Sequence, residues 1–401
     1  MKNRKEIISW CLYDFANSSY SAVIAAVVFP VYFANVIVGN EKGLGDLWWG
    51  RAVSISMVIV ALTSPFLGGI ADYLKVRKRL LLFYTSLSVV SVFLFTFLKE
   101  GMIYQGVILV ILANIGMEGG LVFYNAFLPE IAEKDEYGRV SSWGFGVGYS
   151  GSILSLLIAL YLIKAQKFNF IWLSVSLFFL LFSLPAFLFL PKDRKKEGGF
   201  IDAGLSGIGL CVRTFKDIFK SKNKVWFLAA YFVYEDGVNT VIVFSSIFAA
   251  TTLHFSKEEL IFLYLFVQFV ALIGSFVMAK PIDRAGPKRI IKLMLLLWLT
   301  VSISSSLVVV KKMFWLIAGV AGFGLGVIQA SSRALFAKFI PKGKENDYFG
   351  IYSLVGKTSA VIGPVMFGTV SSLTGSQRPA VLAVSFFFLL GYLFINFVKE
   401  E

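Results

Sequence analysis

Two stretches decide how this chain is read: GGIADYLKVRKR, from Gly68 to Arg79, and AKPIDRAGPKR, from Ala279 to Arg289. Each follows one long apolar run and precedes another. Each carries an aspartate and then runs into a basic cluster. The aspartates, Asp72 and Asp283, stand 211 positions apart, about half of the 401 residues. The chain therefore reads as one membrane module written twice.

The composition agrees. Hydrophobic residues make up 57% and the mean hydropathy is +0.78, too apolar for a soluble chain of this length. A bilayer-crossing helix needs ~20 mostly apolar residues. Twelve such runs lie between Ile7 and Val398, the first over Ile7–Val38 and the eleventh over Gly350–Leu373. They lack the apolar/polar alternation of barrel strands, and backbone groups in lipid must pair internally, so helices are expected. The opening MKNRKEIISWCLYDF has the basic start of a signal peptide. Its apolar stretch runs on past the usual h-region, so it reads as an uncleaved first helix.

The net charge is +14. With the amino terminus in the cytoplasm, about 28 Lys and Arg fall in cytoplasmic segments and about 9 in exterior loops, which places both termini inside. For a bacterial chain the membrane is the inner, cell membrane. No basic stripe interleaved with aromatics stands outside the membrane loops, so nucleic acid is not an expected partner. Cys11 and Cys211 lie in a span and in the linker, so no disulfide is expected. The single His254 belongs to no zinc-ligand cluster. No P-loop is present. The G-x-G-x-x-G at Gly146, Gly148 and Gly151 lies inside an apolar span with no strand before it, so these glycines serve close helix approach or bending instead.

The repeat extends beyond the two aspartates. LPEIAEKDEYGRVSSWG (Leu128 to Gly144) resembles IPKGKENDYFGIYSLVG (Ile340 to Gly356), with Tyr137 and Tyr348 again 211 apart. Asp14 and Asn17 form D-x-x-N in the first run, and Asp236 and Asn239 form it in the seventh. Residues 1–190 and 225–401 are thus expected to form two six-helix bundles, related by an axis along the membrane normal, with a site between them near the midplane. Residues 191–224 form a cytoplasmic linker. In it Leu205, Ile208, Val212, Phe215 and Phe219 recur at helical spacing, and Arg213, Lys216, Asp217 and Lys220 fall elsewhere on the wheel. This is an amphipathic helix suited to the inner membrane surface.

A charge at the centre of a spanning helix costs roughly 2.5–3.5 kcal/mol on insertion scales, so buried ionisable groups need a reason. They collect in four runs. The first has Asp14 and Asn17, the fourth Asn114, Glu118, Tyr124 and Asn125, the seventh Tyr234, Glu235, Asp236 and Asn239, and the tenth Gln329 and Arg333. Three roles stay open. Carboxylates near an ammonium, with Arg333 fork-to-fork on a carboxylate, would suit a zwitterionic amino acid. A carboxylate in an apolar cavity could instead carry a coupling proton. A structural salt bridge with Arg333 or Lys357 would need neither. In the loops, Asp72 and Asp283 are candidate gates, each facing the first turn of a neighbouring helix, with Arg77, Lys78, Arg284, Lys288 and Arg289 as partners.

Asp72 with Arg77, Lys78 and Arg79, and Asp283-Arg284 with Gly286, Lys288 and Arg289, resemble the loop signature of the major facilitator superfamily. Ala279 stands where the second copy would lead with glycine. In the first copy Tyr73 replaces the usual Arg, and Lys75 stands where a glycine is usual, removing the residue that favours a tight turn there. Within the superfamily, WCLYDFANSSYSAVI, NAFLP followed by GRVSSWGFGVGYSG, and YFVYEDGVNTVI resemble the vacuole-effluxer branch, with its autophagy-related amino-acid exporters. The resemblance implies an all-α membrane protein of twelve helices, alternating access by rocking, and a cavity lined by helices one, four, seven and ten. The chain is expected to be a secondary active transporter of small amphipathic solutes, amino acids among them, working outward by resemblance; the buried carboxylates point to proton coupling, and the sequence shows no catalytic group for an enzyme. The alternatives are a multidrug or lipid exporter of the same superfamily, and a non-transporting sensor or scaffold. The fifth run lacks the Gly-Pro of many drug antiporters; Gly363-Pro364 occurs in the eleventh instead. No cofactor is expected beyond a coupling proton. The expected partners are a small-molecule substrate and the lipid bilayer, with the chain acting as a monomer.

Overall fold

The computed structural model describes residues 4–39, 44–193, 200–360 and 362–399, and nearly all of them are helical. Among the described residues, eleven helices are long and apolar enough to cross a membrane, and a bent pair at the start, counted as one span, makes a twelfth. Helices satisfy every backbone group within the segment, which hydrocarbon demands.

The first span is not the continuous helix its apolar run suggests. Helix α1 (Arg4–Ser19) opens into π-helical turns over Tyr20–Val27, and the chain then bends by 42°. It restarts as α2 (Phe29–Tyr32) and ends in a second π-helical stretch, Phe33–Val38. Pro30 sits in the first turn of α2, where its missing N–H is no loss. Five more spans involve α3 (Leu44–Leu74), α4 (Arg77–Leu94), α5 (Ile103–Asn125), which leads into the short α6 (Leu128–Ile131), α7 (Tyr137–Lys164) and α8 (Phe168–Phe189). The linker helix is α9 (Phe200–Lys220). Then come α10 (Lys222–Thr251), α11 (Lys257–Ala285), α12 (Pro287–Leu307) and α13 (Lys311–Lys338). The eleventh run is split into α14 (Glu345–Ser359) and α15 (Ile362–Thr374), and α16 (Gln377–Asn396) closes the fold. Pro364 explains the split, because its ring clashes with the carbonyl four residues back and it donates no hydrogen bond.

The contacts gather the chain into two compact units, and neither is a continuous half of the sequence. One comprises Met1–Ala132, Val147–Arg213 and Pro341–Leu354; the other comprises Glu133–Gly146, Thr214–Ile340 and Val355–Glu401. The two displaced segments, 133–146 and 341–354, are the bodies of the two repeat strings that start at Leu128 and Ile340.

In the first unit α1 packs along α8, α4 lies on α5 and α8, and α3 lies on α5. Trp10 stacks on Tyr124 at 4.5 Å, and Phe29 stacks on Phe95 at 4.0 Å with Trp172 edge-on to it. A Cβ on Gly151 would run into the Phe15 carbonyl, so the middle of α7 meets α1 backbone to backbone. In the second unit α13 packs against α11 and α12, and α16 against α10 and α12. Trp298 stacks on Phe388 at 5.5 Å.

Helix α9 buries Gly207, Cys211, Thr214 and Ile218. Val212 and Phe219, from the apolar stripe read in the sequence, face outward at 46% and 73% exposure, as do Arg213, Lys216 and Lys220. The side chains of Leu205 and Ile208 lie outside the described residues. Val212 and Phe219 therefore lie off the face that packs on protein, while Phe215 is half-buried.

Candidate functional site

Among the described residues, the candidate polar residues of the spans in the first unit fall into two clusters. Asp14 and Asn17 are buried one turn apart on α1, and the Asn17 amide donates to Asp14 Oδ1 at 3.3 Å. Gly148 of α7 faces this turn; a Cβ there would lie 3.0 Å from Ser18 Oγ and 3.5 Å from Asp14 Cγ. The second cluster centres on Asn114 of α5. Its amide donates to Ser56 Oγ of α3 at 2.6 Å, and its Oδ1 accepts from the Tyr20 hydroxyl at 3.4 Å. Tyr20 is the first residue of the π-helical stretch. Glu118 follows one turn after Asn114 and is half-buried. Tyr124 and Asn125 lie further along α5. Tyr124 is fully buried, sandwiched by Trp10 and Tyr13, and its carbonyl accepts from the Trp10 indole at 2.9 Å. That is a packing role. Asn125, the last residue of α5, is half-buried.

The second unit holds its charges more tightly. Both Asp236 oxygens accept from the backbone N–H of Gly363, at 3.0 and 2.8 Å, in the first turn of α15. The split in the eleventh span thus ends on a buried carboxylate, which suits the positive end of a helix. Only glycine fits at 363, because a Cβ would collide with Thr240 Oγ1 and lie 2.8 Å from Asp236 Oδ1. Glu235, 7% exposed, accepts from the Gln329 amide at 3.4 Å and lies in the field of Lys357. Tyr234 shares a hydrogen bond of 2.7 Å with Ser332, and Asn239 is half-buried one turn beyond Glu235. Arg333 is 3% exposed. It donates through Nε to Ser141 Oγ and through a terminal nitrogen to the Ser141 carbonyl, both at 2.8 Å, and lies over the Phe145 ring at 4.2 Å.

The loop aspartates also face helix starts. Asp72 accepts from the Asn346 amide at 2.6 Å and from the Asp347 N–H at 2.8 Å, in the first turn of α14. Arg77 reinforces the joint. It pairs with Glu130 at 2.8 Å and Glu345 at 3.2 Å, donates to Asn346 Oδ1 at 3.0 Å, and covers the Phe127 ring. In the second unit Asp283 accepts from the Arg139 N–H at 3.1 Å, in the first turn of α7, and pairs with the Arg139 guanidinium at 3.6 Å.

Four expected partners of these aspartates are engaged elsewhere or outward-facing. Lys78 donates to the Leu190 carbonyl at the end of α8, and Lys288 to the carbonyls of Asn396 and Val398 after α16. Each lysine thus satisfies orphan carbonyls at a helix end. Arg284 and Arg289 are exposed and form no ion pair among the described residues. The physical reason is direction: they point away from the helix start that Asp283 caps.

A family model described as "Vacuole effluxer Atg22 like" matches residues 51–401. The chain belongs to the Atg22-like vacuole effluxer family. The uncharacterised MFS-type transporter YxiO of Bacillus subtilis (strain 168) is 30% identical over 99% of this chain and 95% of its own length. Autophagy-related protein 22 of Kluyveromyces lactis is 24% identical over 84% of this chain and 76% of its own. The human organic anion transporter MFSD10 (TETRAN) superposes with a TM-score of 0.81 at 15% identity, over 98% of this chain and all of that one, so it shares the fold. This Atg22-like chain is a multi-pass membrane transporter of the major facilitator type and not an enzyme.

For this Atg22-like transporter, sequence reading missed Arg139, Glu130, Glu345, Asn346, Ser141 and Gly363. The signal for most of them was on the page. The repeat strings from Leu128 and Ile340 contain five of the six, and their helix starts are where Asp283 and Asp72 land.

Proposed function

We propose that the protein is a proton-coupled secondary transporter that exports small amphipathic solutes, amino acids first among them, by alternating access of its two sequence halves. One observation carries the reading. Asp14, Glu235, Asp236 and Arg333 are at most 7% exposed inside membrane spans, where an ionisable group is retained for transport more readily than for packing. Acids and a guanidinium on spans one, seven and ten supply both signs that a zwitterion needs. Arg333 is poised for exchange: a substrate carboxylate offers the two oxygens it now takes from Ser141. Proton uptake by Asp236 removes the charge facing the Gly363 N–H and loosens the split eleventh span.

The excess of Lys and Arg supports a cytoplasmic side for both termini and the two loop aspartates, and the proposed location is the cell membrane of a bacterium. There Asp72 and Asp283 act as paired latches, and opening toward the cytoplasm breaks both. The protein acts as a monomer whose ligands are its substrate and the surrounding lipid. The test is a substrate screen in proteoliposomes, with and without a pH gradient. Amino-acid flux that rises with the gradient and fails in Arg333→Lys supports the reading. Flux of unrelated apolar cations with indifference to amino acids makes the protein a drug exporter, and ligand-induced change without flux makes it a sensor.

A further inference from the structure

The turn between α7 and α8 is short and closed by backbone hydrogen bonds. The Lys167 N–H bonds to the Leu162 carbonyl and the Gln166 N–H to the Ile163 carbonyl, both at 2.9 Å. With Gln166 at φ 56°, this is a Schellman stop. It fixes Lys164 on the last turn of α7 and Lys167 just before α8. Both lysines are exposed, and neither joins an ion pair among the described residues.

Below this turn the helices part. Helix α8 packs on α1 and α4, while α7 meets α1 through Gly148 and Gly151. An open groove of about 590 Å³ is left between them, walled by Leu157 and Tyr161 on one side and by Phe170, Leu173, Ser174 and Leu177 on the other. The wall residues of α8 recur at helical spacing and make one continuous face. From Lys164 to Leu157 is seven residues, ~10 Å of helix, and from Lys167 to Leu177 is ten, ~15 Å. Half of a ~30 Å hydrocarbon core is ~15 Å, so the groove has the length of one acyl chain in one leaflet.

We propose that this groove is a binding site for an anionic phospholipid, with one acyl chain between α7 and α8 and the headgroup phosphate between Lys164 and Lys167. Length, apolar lining and unpaired cations at one end select a lipid that carries a long apolar chain and an anionic headgroup together.

The test is native mass spectrometry of the full-length protein in detergent, titrated with dioleoyl phosphatidylglycerol or dioleoyl phosphatidylcholine. Phosphatidylglycerol is expected to bind more tightly. Lys164→Gln and Lys167→Gln should each weaken it about fivefold, and together about 25-fold. Ser174→Trp, which fills the groove, should weaken both lipids. Equal affinity for the two lipids, or unchanged phosphatidylglycerol binding in the double lysine variant, would overturn the proposal. So would a dimer that Ser174→Trp disperses, since the occupant would then be another copy.

Discussion

Lys75 and Gly286 hold the same place in the two copies of the loop, 211 positions apart, and both turn the chain with positive φ, 55° and 86°. The first loop makes the left-handed step without the glycine that favours it. Sterics then charge Lys75 about 1–2 kcal/mol, partly offset because lysine has less unfolded-chain freedom to lose. Lys75→Gly should therefore raise stability by about 1 kcal/mol, despite losing the long contact to the Gly343 carbonyl at 3.4 Å. Gly286 also has ψ 136°, a region nearly closed to other residues, so Gly286→Ala should lower stability by about 2 kcal/mol. Thermal unfolding in detergent reads both changes, and opposite signs are expected.

The partner of Asp283 is Arg139, not the adjacent basic cluster. Asp283→Ala removes a helix cap and an ion pair together and should destabilise by about 2 kcal/mol. Arg139→Ala leaves the backbone N–H in place and should cost about 1 kcal/mol. Arg284→Ala and Arg289→Ala should stay within about 0.5 kcal/mol of the parent. A double-mutant cycle should find coupling between Asp283 and Arg139 and none between Asp283 and Arg289.

Asp236 and Gly363 form a contact with no room to spare. Asp236→Asn keeps an oxygen for the Gly363 N–H but loses the charge, so the protein should insert and purify normally and lose transport. Gly363→Ala should damage folding as well, visible as poor monodispersity on size-exclusion chromatography. Thr240→Ala in the same chain should recover part of the yield, because Thr240 Oγ1 is the atom that a Cβ at 363 meets first.

Cys211 is 1% exposed on the linker helix. Burial first, and the negative charge of Asp347 second, push its thiol up to about 12. A thiol raised in this way stays protonated at neutral and mildly alkaline pH, and the thiolate is the nucleophile. Maleimide should label Cys211 far more slowly at pH 8 in the native protein than after denaturation. Rapid native labelling would mean that α9 leaves its seat beside Gly69 and Asp347.

The spans were legible because hydropathy is a property of a window of sequence and needs no partner. Pro30 and Pro364, both visible in the chain, mark two places where the spans break, but the π-helical turns after Ser19 carry no comparable local signal. The candidate charges were legible for a similar reason: Asp14, Glu235, Asp236 and Arg333 are costly where they stand. Their partners were not. Ser141, Gly363 and Asn346 are ordinary residues until a distant helix delivers a charge to them.

Composition and repetition alone determined that this is a doubled, twelve-run helical membrane protein with acids and an arginine inside its spans, since lipid leaves a backbone few choices and makes each buried charge conspicuous. Only the tertiary structure decided that residues 133–146 and 341–354 trade units, that Asp72 meets α14 and Asp283 meets α7, and that Lys78 and Lys288 serve helix ends instead. A hydrogen bond depends on the direction and distance of two groups far apart in sequence, and no pattern along a single chain encodes where the second group will be.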